Sequence, residues 1–458
     1  MSFLNRQRLR PGIGGVSSRP VDPAEAYRVE NMILQRDGVW KPRPGLVATG
    51  SAVSTITHIA NLDFSTYLAV IEGGRLRTFE TGTAAWGATL STGWPEKWIK
   101  HACGGGTAAK DWYWLGVKAP RLSGSTFGDL HKINANDRTS SVISGAPQGG
   151  WVDYHGVYTF SVGGSEIAWS SPGDSDTWSA ADSMTSPRFL RFPQAIISLS
   201  ESQALLLGDF GVGQLMGNTP ENWTVGPLYR DMILWPRTAV SCGDRVFVLG
   251  GGEEGTRVYF FNPGMYRVDA PIESELAGLN SEGWWAWYDP LEQNFCMSHS
   301  TAGKTWIFDL EKNRWAGTIS RHLVGFGMKP QNHGFSRVYG LGGQLVVSGS
   351  PSPSWADSAG SYSCIIETRP DFLQAPETEK QASAVFVDGR GDWTVTLRHR
   401  ERADEAWTDV ALGSVSAPGW VHAPLNVYRE RVLRFEGTPS ATLRFRGIEF
   451  DERVVGLR

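Results

Sequence analysis

Cysteine is scarce in this sequence, and so is net charge. The 458 residues include four cysteines, at positions 103, 242, 296 and 364, and no two of them form a Cys-x-x-Cys pair. This spacing excludes a zinc knuckle and a dithiol redox motif, and it predicts four small buried thiols in a reducing compartment. The formal net charge of −4 excludes a protein that holds nucleic acid by bulk positive charge.

Long hydrophobic runs are also missing. The most apolar stretches, residues 195–199 and 204–207, are much shorter than the ~18 residues that a membrane span needs. No apolar run follows the positively charged N-terminus, so the sequence predicts no secretory signal. We therefore expect a protein that is made in the cytoplasm and does not insert into a membrane.

Glycine and aromatic residues, in contrast, are abundant. The chain has 54 Gly, 20 Trp and 20 Phe, and only 20% of its residues are charged. This much apolar surface excludes global disorder, and the glycines lack the triplet period of collagen. The composition predicts many short strands joined by tight turns.

A unit of two short strands, a Gly-containing turn and a closing Trp recurs along the chain. Clear copies lie at 244–262 and 283–315, and the same rhythm occurs at 65–86, 110–118, 156–178, 204–223 and 343–349. Successive copies are about 40 to 50 residues apart, which is the spacing of four-stranded propeller blades. The sequence therefore predicts an all-β fold with a six- or seven-bladed β-propeller over residues 55–370.

The segments on either side of the propeller have different patterns. From residue 381 onward, longer strands alternate apolar residues with Arg and Glu, as antiparallel strands with one wet face do. Residues 371–458 are predicted to form a C-terminal β-sandwich. Residues 1–54 are predicted to form an exposed N-terminal arm and entry segment, with a short helix over 23–31 that begins with Asp22 as its N-cap.

Motifs that would support catalysis are weak. Residues 171–178, Ser-Pro-Gly-Asp-Ser-Asp-Thr-Trp, approach the Asp-box of sialidases, but Gly173 and Ser175 stand where Asp and Gly belong. A turn between blade strands is the favoured interpretation. The nine histidines form no His-x-x-x-His pair, and no Gly-x-Ser-x-Gly elbow occurs. We predict no catalytic residue, no metal and no cofactor, with facing carboxylates or a metal site built from distant loops as open alternatives.

Arginines are the candidate contact residues. Near the N-terminus, Arg6, Arg8 and Arg10 form a weakly basic arm that either touches a partner or nucleic acid or is a solvated tail. In the sandwich, strand alternation predicts several arginines on the wet face, where they would contact neighbouring subunits or partner proteins. These sandwich candidates are Arg429, Arg431, Arg434, Arg444 and Arg446.

The most specific pattern lies in residues 30–46. It resembles the opening of tail-hub and tail-nozzle proteins of short-tailed bacteriophages, in which an Asn, a later Gly and Arg-Pro-Gly precede the first blade. The matching positions are Asn31, Gly38, Arg43, Pro44 and Gly45. Residues 11–20, 157–178 and 446–458 are similar to further parts of the family, although the family's middle Asp-Pro is absent. We predict that the five positions form a structural turn, in which Pro44 fixes φ and Gly45 supplies a positive φ.

The resemblance implies a non-catalytic virion protein of the phage tail. It would form a ring of six copies below the portal and adaptor, retain packaged DNA and form the conduit for its ejection. Its partners would be further copies of itself, the portal-adaptor proteins, tail fibre, spike or needle proteins, and double-stranded DNA without sequence preference. A near-neutral chain suits such a conduit, because tight phosphate binding would oppose passage of the duplex.

Two other classes of function remain open at this point. One is a propeller glycosidase or lectin that acts on cell-surface polysaccharide, which would need facing carboxylates in an axial pocket. The other is a plain propeller scaffold in a cell, which would need neither a ring nor the Arg-Pro-Gly opening.

Overall fold

Short strands separated by Gly-containing turns account for most of the described residues. In this computed structural model the described residues are 5–9, 15–16, 25–35, 39–61, 67–93, 101–105, 112–117, 128–134, 139–252, 255–262, 264–279, 283–331, 334–348, 357–358, 361–368, 378–400, 405–422 and 430–457. They form an all-β fold, a propeller joined to a β-sandwich. Among these residues no helix is both long and apolar enough to cross a membrane.

Seven four-stranded antiparallel units make up the propeller within the described part of the chain. Blades one to three contain β7 (Ile56–Asn61), β8 (Tyr67–Glu72), β9 (Arg75–Glu80), β10 (Ala85–Thr92), β11 (His101–Gly105), β12 (Trp112–Val117), β13 (Leu130–Asn134), β14 (Ser140–Val142), β15 (Trp151–His155), β16 (Tyr158–Gly163), β17 (Glu166–Ser171) and β18 (Asp174–Thr185). Blades four and five contain β19 (Pro193–Ser200), β20 (Gln203–Gly208), β21 (Gly211–Met216), β22 (Thr224–Arg230), β23 (Leu234–Cys242), β24 (Arg245–Gly252), β25 (Gly255–Asn262) and β26 (Gly264–Arg267). Blades six and seven contain β27 (Trp284–Asp289), β28 (Asn294–His299), β29 (Lys304–Asp309), β30 (Arg314–Ile319), β31 (Val324–Gln331), β32 (Gly334–Leu341), β33 (Gln344–Ser348) and, from before blade one, β6 (Val47–Thr49).

The ring of blades closes between blade seven and blade one. The inner strands of blades two to seven contact one another in sequence, and β31 of blade seven contacts β7 of blade one. Blade seven also takes its outermost strand from the entry segment, because β6 pairs antiparallel with β33. The sequence prediction of six or seven blades is therefore resolved as seven.

Tryptophans of the repeat connect blade four to blade three and blade six to blade five. Trp223 of blade four packs against Trp169 of blade three, with ring centroids 4.8 Å apart. The indole N–H of Trp315 in blade six donates to the carbonyl of Val268, 2.7 Å away, at the end of blade five. A large apolar ring with one polar N–H suits this position between sheets, which explains why the repeat ends in Trp.

The sandwich combines both ends of the chain. Its strands are β1 (Asn5–Leu9), β2 (Gly15–Val16), β3 (Glu25–Glu30), β4 (Met32–Leu34), β5 (Trp40–Pro42), β34 (Cys364–Thr368), β35 (Thr378–Arg390), β36 (Trp393–Arg400), β37 (Thr408–Val415), β38 (Gly419–His422), β39 (Glu430–Gly437) and β40 (Arg444–Leu457). One sheet has the order β38-β35-β40-β5-β4, with β1 beside β40. The other has the order β3-β34-β39-β36-β37 and continues into blade six, because β3 also pairs with β30.

Three fully buried aromatic side chains fill the sandwich core, Trp393, Phe435 and Phe445. Phe445 contacts both of the others, at ring-centroid distances of 5.6 Å and 5.0 Å. The same apolar cluster extends through Cys364 to Phe308 in blade six. The two domains therefore share one hydrophobic core. Helices are minor: α1 (Glu273–Leu276) and the 3-10 turns Arg188–Leu190, Pro220–Asn222 and Ala270–Ile272.

Two predictions for the N-terminal segment were wrong. Residues 25–30 form strand β3 and not the predicted helix over 23–31, because β3 is hydrogen-bonded to β34 and β30 on its two sides. Residues 5–9 form β1 and not a free arm, with Arg6 opposite Asp451 and Arg8 opposite Glu449 in the ladder with β40. Pairing with strands distant in sequence overrides local preference in both places.

The predicted domain boundaries change for the same reason. Within 1–54, β1 to β5 belong to the sandwich and β6 belongs to the propeller, and β34, placed before residue 371, is a sandwich strand. The propeller is thus inserted between two parts of a discontinuous sandwich.

The closure by β6 can be tested with one substitution. The backbone N–H of Ala48 donates to Ser358, so the N–H groups of Val47 and Thr49 face β33. Thr49→Pro should remove a ladder hydrogen bond and destabilise the fold by about 1–3 kcal/mol. We expect a thermal midpoint several degrees lower than that of Ala48→Pro, which loses only the solvent-exposed hydrogen bond to the Ser358 hydroxyl, measured by circular dichroism. Equal midpoints would contradict closure through β6.

Candidate functional site

The segment that carries the family pattern is held in place by Asn31. This residue lies between β3 and β4 with φ 58°, a left-handed conformation that Asn tolerates better than most residues. Its backbone N–H donates to Thr318 of blade six at 2.8 Å. Its side-chain amide donates to Ser320 and to the carbonyl of Ser363, both at 2.8 Å. Asn31 therefore ties the entry segment to blade six and to the start of β34.

Arg43 completes a cluster with Asn31, Asp357 and Tyr362, called the joint cluster below. Its guanidinium group donates two parallel hydrogen bonds to Asp357, at 2.9 and 2.7 Å. Its Nε donates to the Asn31 side-chain oxygen at 3.0 Å, and its guanidinium carbon lies 4.0 Å from the Tyr362 ring centroid. The Tyr362 hydroxyl donates to the Arg43 carbonyl oxygen. The bidentate pair with Asp357, the stacking on the Tyr362 ring and the hydrogen bond to the Arg43 carbonyl oxygen together fix the orientation of Arg43.

The ion pair of the joint cluster is buried. The Arg43 side chain is 4% exposed and that of Asp357 is 0% exposed. Asp357 also accepts a hydrogen bond from the backbone N–H of Leu46 at 2.9 Å, and Arg321 of the blade six to blade seven connection lies 3.3 Å away. Burial raises the pKa of the Tyr362 hydroxyl, so it stays a neutral donor. Every partner in this network is needed, because a buried charge without one is costly.

The other three predicted turn positions are Pro44, Gly45 and Gly38. Pro44 contributes its carbonyl oxygen, which accepts from Arg43 at 3.0 Å. Gly45 is buried and has no positive φ, so that part of the prediction was wrong, and the left-handed residue of the entry segment is Asn31. Gly38 lies outside the described residues.

The sandwich arginines divide into three groups. Arg444 and Arg446 are exposed on either side of the buried Phe445, as alternation predicts. Arg431 is only 3% exposed, so its prediction as a wet-face contact was wrong: it lies on the same side of β39 as the core residues Leu433 and Phe435. Arg429 is not among the described residues, and neither is Arg10 of the predicted arm.

Arg434 faces outward but is already paired within the chain. It lies opposite Glu367 on β34, at 3.5 Å between charged atoms, and 2.9 Å from Glu436 on its own strand. Arg398 of β36 reaches the same Glu367 at 3.2 Å. Glu367 is 1% exposed, so this ladder covers a buried carboxylate and leaves Arg434 less available to a partner than Arg444 and Arg446.

The segment similar to an Asp-box is a hairpin between β17 and β18, as predicted. Asp174 accepts hydrogen bonds from the Asp176 backbone N–H at 2.9 Å and from the Thr177 hydroxyl at 2.7 Å. The indole of Trp178 donates to the Ser175 carbonyl at 2.8 Å. The carboxylate of Asp174 therefore stabilises its own turn.

A partly buried histidine between blades six and seven, His322, was not singled out by the sequence. His322 packs edge-on against Trp285, with ring centroids 4.7 Å apart, and the Trp285 indole donates to the carbonyl of Thr57 in blade one at 2.7 Å. Burial, with a smaller effect from His299, lowers the pKa of His322 to about 4. No group of three or more His, Cys, Asp or Glu side chains suited to a metal occurs among the described residues. The thiols of Cys242, Cys296 and Cys364 are buried, and none of the three forms a disulfide bond.

Comparison with known proteins gives distant similarity to solved β-propeller structures. No family model matches it, and no curated protein matches it. A crystal structure of the WD40 β-propeller domain of Doa1 is similar at 8% identity, with 68% of this chain and 97% of that chain covered and a TM-score of 0.42. A streptogramin B lyase structure is similar at 9% identity, with coverages of 66% and 96% and a TM-score of 0.44.

Loss of Arg43 should destabilise the whole protein. Arg43→Ala leaves Asp357 buried without its bidentate partner, which should cost about 3–5 kcal/mol of unfolding free energy. Arg43→Lys should recover only part of this lost stability, since an ammonium group cannot donate two parallel hydrogen bonds to the Asp357 carboxylate. Urea unfolding followed by Trp fluorescence measures the effect, with the exposed Arg446→Ala as the matched control. A stability of Arg43→Ala equal to that of Arg446→Ala would contradict the role of the joint cluster.

Protonation of His322 should favour the unfolded chain. Its folded pKa of about 4 lies below the ordinary value of 6.5, so its contribution is complete above pH 6.5 and is lost as the pH falls toward 4. The total should be about 3 kcal/mol. We expect His322→Phe, which does not titrate and keeps a ring beside Trp285, to lose less stability than wild type between pH 7 and pH 4. Parallel pH profiles of unfolding free energy would refute this.

Proposed function

We propose that this protein is a non-enzymatic structural subunit of a bacteriophage tail. Copies assemble into a ring, a hub or nozzle, below the portal and adaptor, which retains packaged DNA and conducts it during ejection. Six copies are expected from the family resemblance. The ring contacts tail fibre, spike or needle proteins, and its place is the virion tail.

The joint cluster is the observation that carries this proposal. Asn31 and Arg43, two residues of the phage-like pattern, form a buried network that fastens the propeller to the sandwich. Such a joint gives a body whose two domains hold a fixed geometry, which a wall subunit under the pressure of packaged DNA requires. Asn31 and Arg43 of the pattern therefore stabilise the contact between the two domains.

The sandwich offers a surface for neighbours. Arg444 and Arg446 are exposed, and Arg390, directly opposite Arg444 in the ladder, is exposed as well. Arginine is enriched at protein interfaces, because its planar group makes several hydrogen bonds and stacks on apolar surface. These side chains are the candidate contacts with other subunits or tail proteins.

The proposal predicts a defect in assembly without a defect in folding. Arg444→Glu with Arg446→Glu should leave the unfolding free energy within about 0.5 kcal/mol of wild type, since both residues are exposed. Incorporation into tails should fall about tenfold or more, equivalent to about 1.4 kcal/mol of binding energy. The measurement is quantitative immunoblotting of virions from a phage that lacks its own copy and is complemented by the variant.

The matched control makes the same charge change elsewhere. Arg75→Glu with Lys312→Glu reverses two exposed charges on blades one and six and should leave incorporation unchanged. Normal incorporation of the Arg444/Arg446 variant would refute the sandwich contact. Cleavage of cell-surface polysaccharide by the purified protein, abolished by one carboxylate substitution, would overturn the non-enzymatic function in favour of a propeller glycosidase.

A further inference from the structure

The two ends of blade four differ in chemistry. Because its four strands are antiparallel, residues 186–192, 209–210 and 230–233 lie at one end, called the basic end. Residues 199–202 and 216–223 lie at the other, called the acidic end. The six residues of β20 separate the two ends by about 20 Å. Each end exposes hydrophobic side chains next to charges.

The basic end carries three exposed arginines, Arg188, Arg191 and Arg230. The guanidinium carbon of Arg191 lies 4.6 Å from the ring centroid of Phe210, and Phe210 and Ile233 are 37% and 53% exposed. Arginine above an exposed aromatic ring, beside an exposed aliphatic residue, is the composition of a binding surface.

The backbone at Arg191 is strained. Its φ of 61° and ψ of −71°, with a hydrogen bond from the Phe192 N–H to the Leu190 carbonyl at 2.8 Å, define a classic γ-turn, a rare conformation for a non-glycine residue. The turn holds Arg191 beside Phe210. Strain of this kind persists where the surrounding structure imposes it, and it is common at binding sites.

The acidic residues at the basic end do not neutralise the charge of its three arginines. Asp209 accepts a hydrogen bond from the Gln194 side chain, and Asp231 is exposed at the connection to blade five. Three arginines against these two carboxylates leave the described part of the basic end with a net positive charge.

The acidic end has the opposite charge. Glu201 and Glu221 are exposed there, and residues 197–203 and 214–226 contain no Lys or Arg. Hydrogen bonds from its own backbone and from Thr219 lower the pKa of Glu221, which therefore stays ionised. Leu199 and Met216 are 43% and 41% exposed.

A turn of blade three extends the acidic end. Val157 is 57% exposed, and the Tyr158 ring next to it packs on Trp223 of blade four at 5.1 Å between centroids. The acidic end therefore exposes three apolar side chains, Val157, Leu199 and Met216, together with the carboxylates of Glu201 and Glu221.

We propose that the basic end of blade four in one copy of this chain docks on the acidic end of blade four in a second copy. The two surfaces are complementary in charge, and both bring exposed hydrophobic side chains to the contact. Two different surfaces form a head-to-tail contact, which gives a ring where successive rotations close and a fibre where they do not. The inference rests on the proposed function for the ring itself and names the contact that builds it.

Charge reversal at each end tests the contact on the purified full chain. Sedimentation velocity over a concentration series should show self-association of wild type. Arg191→Glu with Arg230→Glu should weaken it more than tenfold, and so should Glu201→Arg with Glu221→Arg. The variant with all four substitutions should regain association, because the former basic end is then acidic and the former acidic end is then basic. Arg75→Glu with Lys312→Glu is the matched control, and circular dichroism verifies the fold of each variant.

Several results would overturn the proposal. One is that wild type stays monomeric at every concentration. Others are that both double variants associate as wild type does, or that only one of the two double variants loses association. The last is that the variant with all four substitutions does not regain association. Binding of an acidic tail protein or a single-stranded oligonucleotide at the basic end, without self-association, would assign that surface to another partner. A phage tail role would stand in all these cases if the chain were still incorporated into virions, so the two proposals fail separately.

Discussion

The buried pairing of Arg43 with Asp357 is the interaction on which the rest of the structure depends. Both charges lie away from water, so neither is tolerated without the other, and their hydrogen bonds reach Asn31, Leu46 and Tyr362. These contacts join the entry segment, the end of blade six and the start of β34. Arg43 lies between β5 of the sandwich and β6 of the propeller, so the joint fixes the chain where it passes from one domain to the other.

A fixed joint turns two β-domains into one structural unit. The shared core runs from Trp393 and Phe445 in the sandwich to Phe308 in blade six, and tryptophans such as Trp223 and Trp315 connect neighbouring blades. Rigidity of this kind suits a protein whose surfaces must keep their spacing within an assembly. The sandwich arginines and the two ends of blade four then form separate surfaces with different charges. In the proposed assembly, each of these surfaces can contact a different neighbour.

Local patterns in the sequence were sufficient for the propeller and insufficient for the joint. Alternation, Gly-containing turns and the repeated Trp are short-range signals, and they predicted the blades because six of the seven described blades are antiparallel sheets of consecutive strands. Strand β3 was misread as a helix because its partners, β34 and β30, lie about 300 residues further along the chain. Arg431 was misplaced because alternation gives two faces without saying which is buried. Asp357, the partner of Arg43, had no recognisable motif around it.

Electron microscopy of the purified full chain tests the central claim most directly. If the protein is a tail-ring subunit with a fixed joint between its domains, single-particle images should show closed rings in which every subunit has a propeller with the sandwich beside blade six. Isolated 50.2 kDa particles at every concentration, or propellers whose sandwich adopts many orientations, would contradict the account.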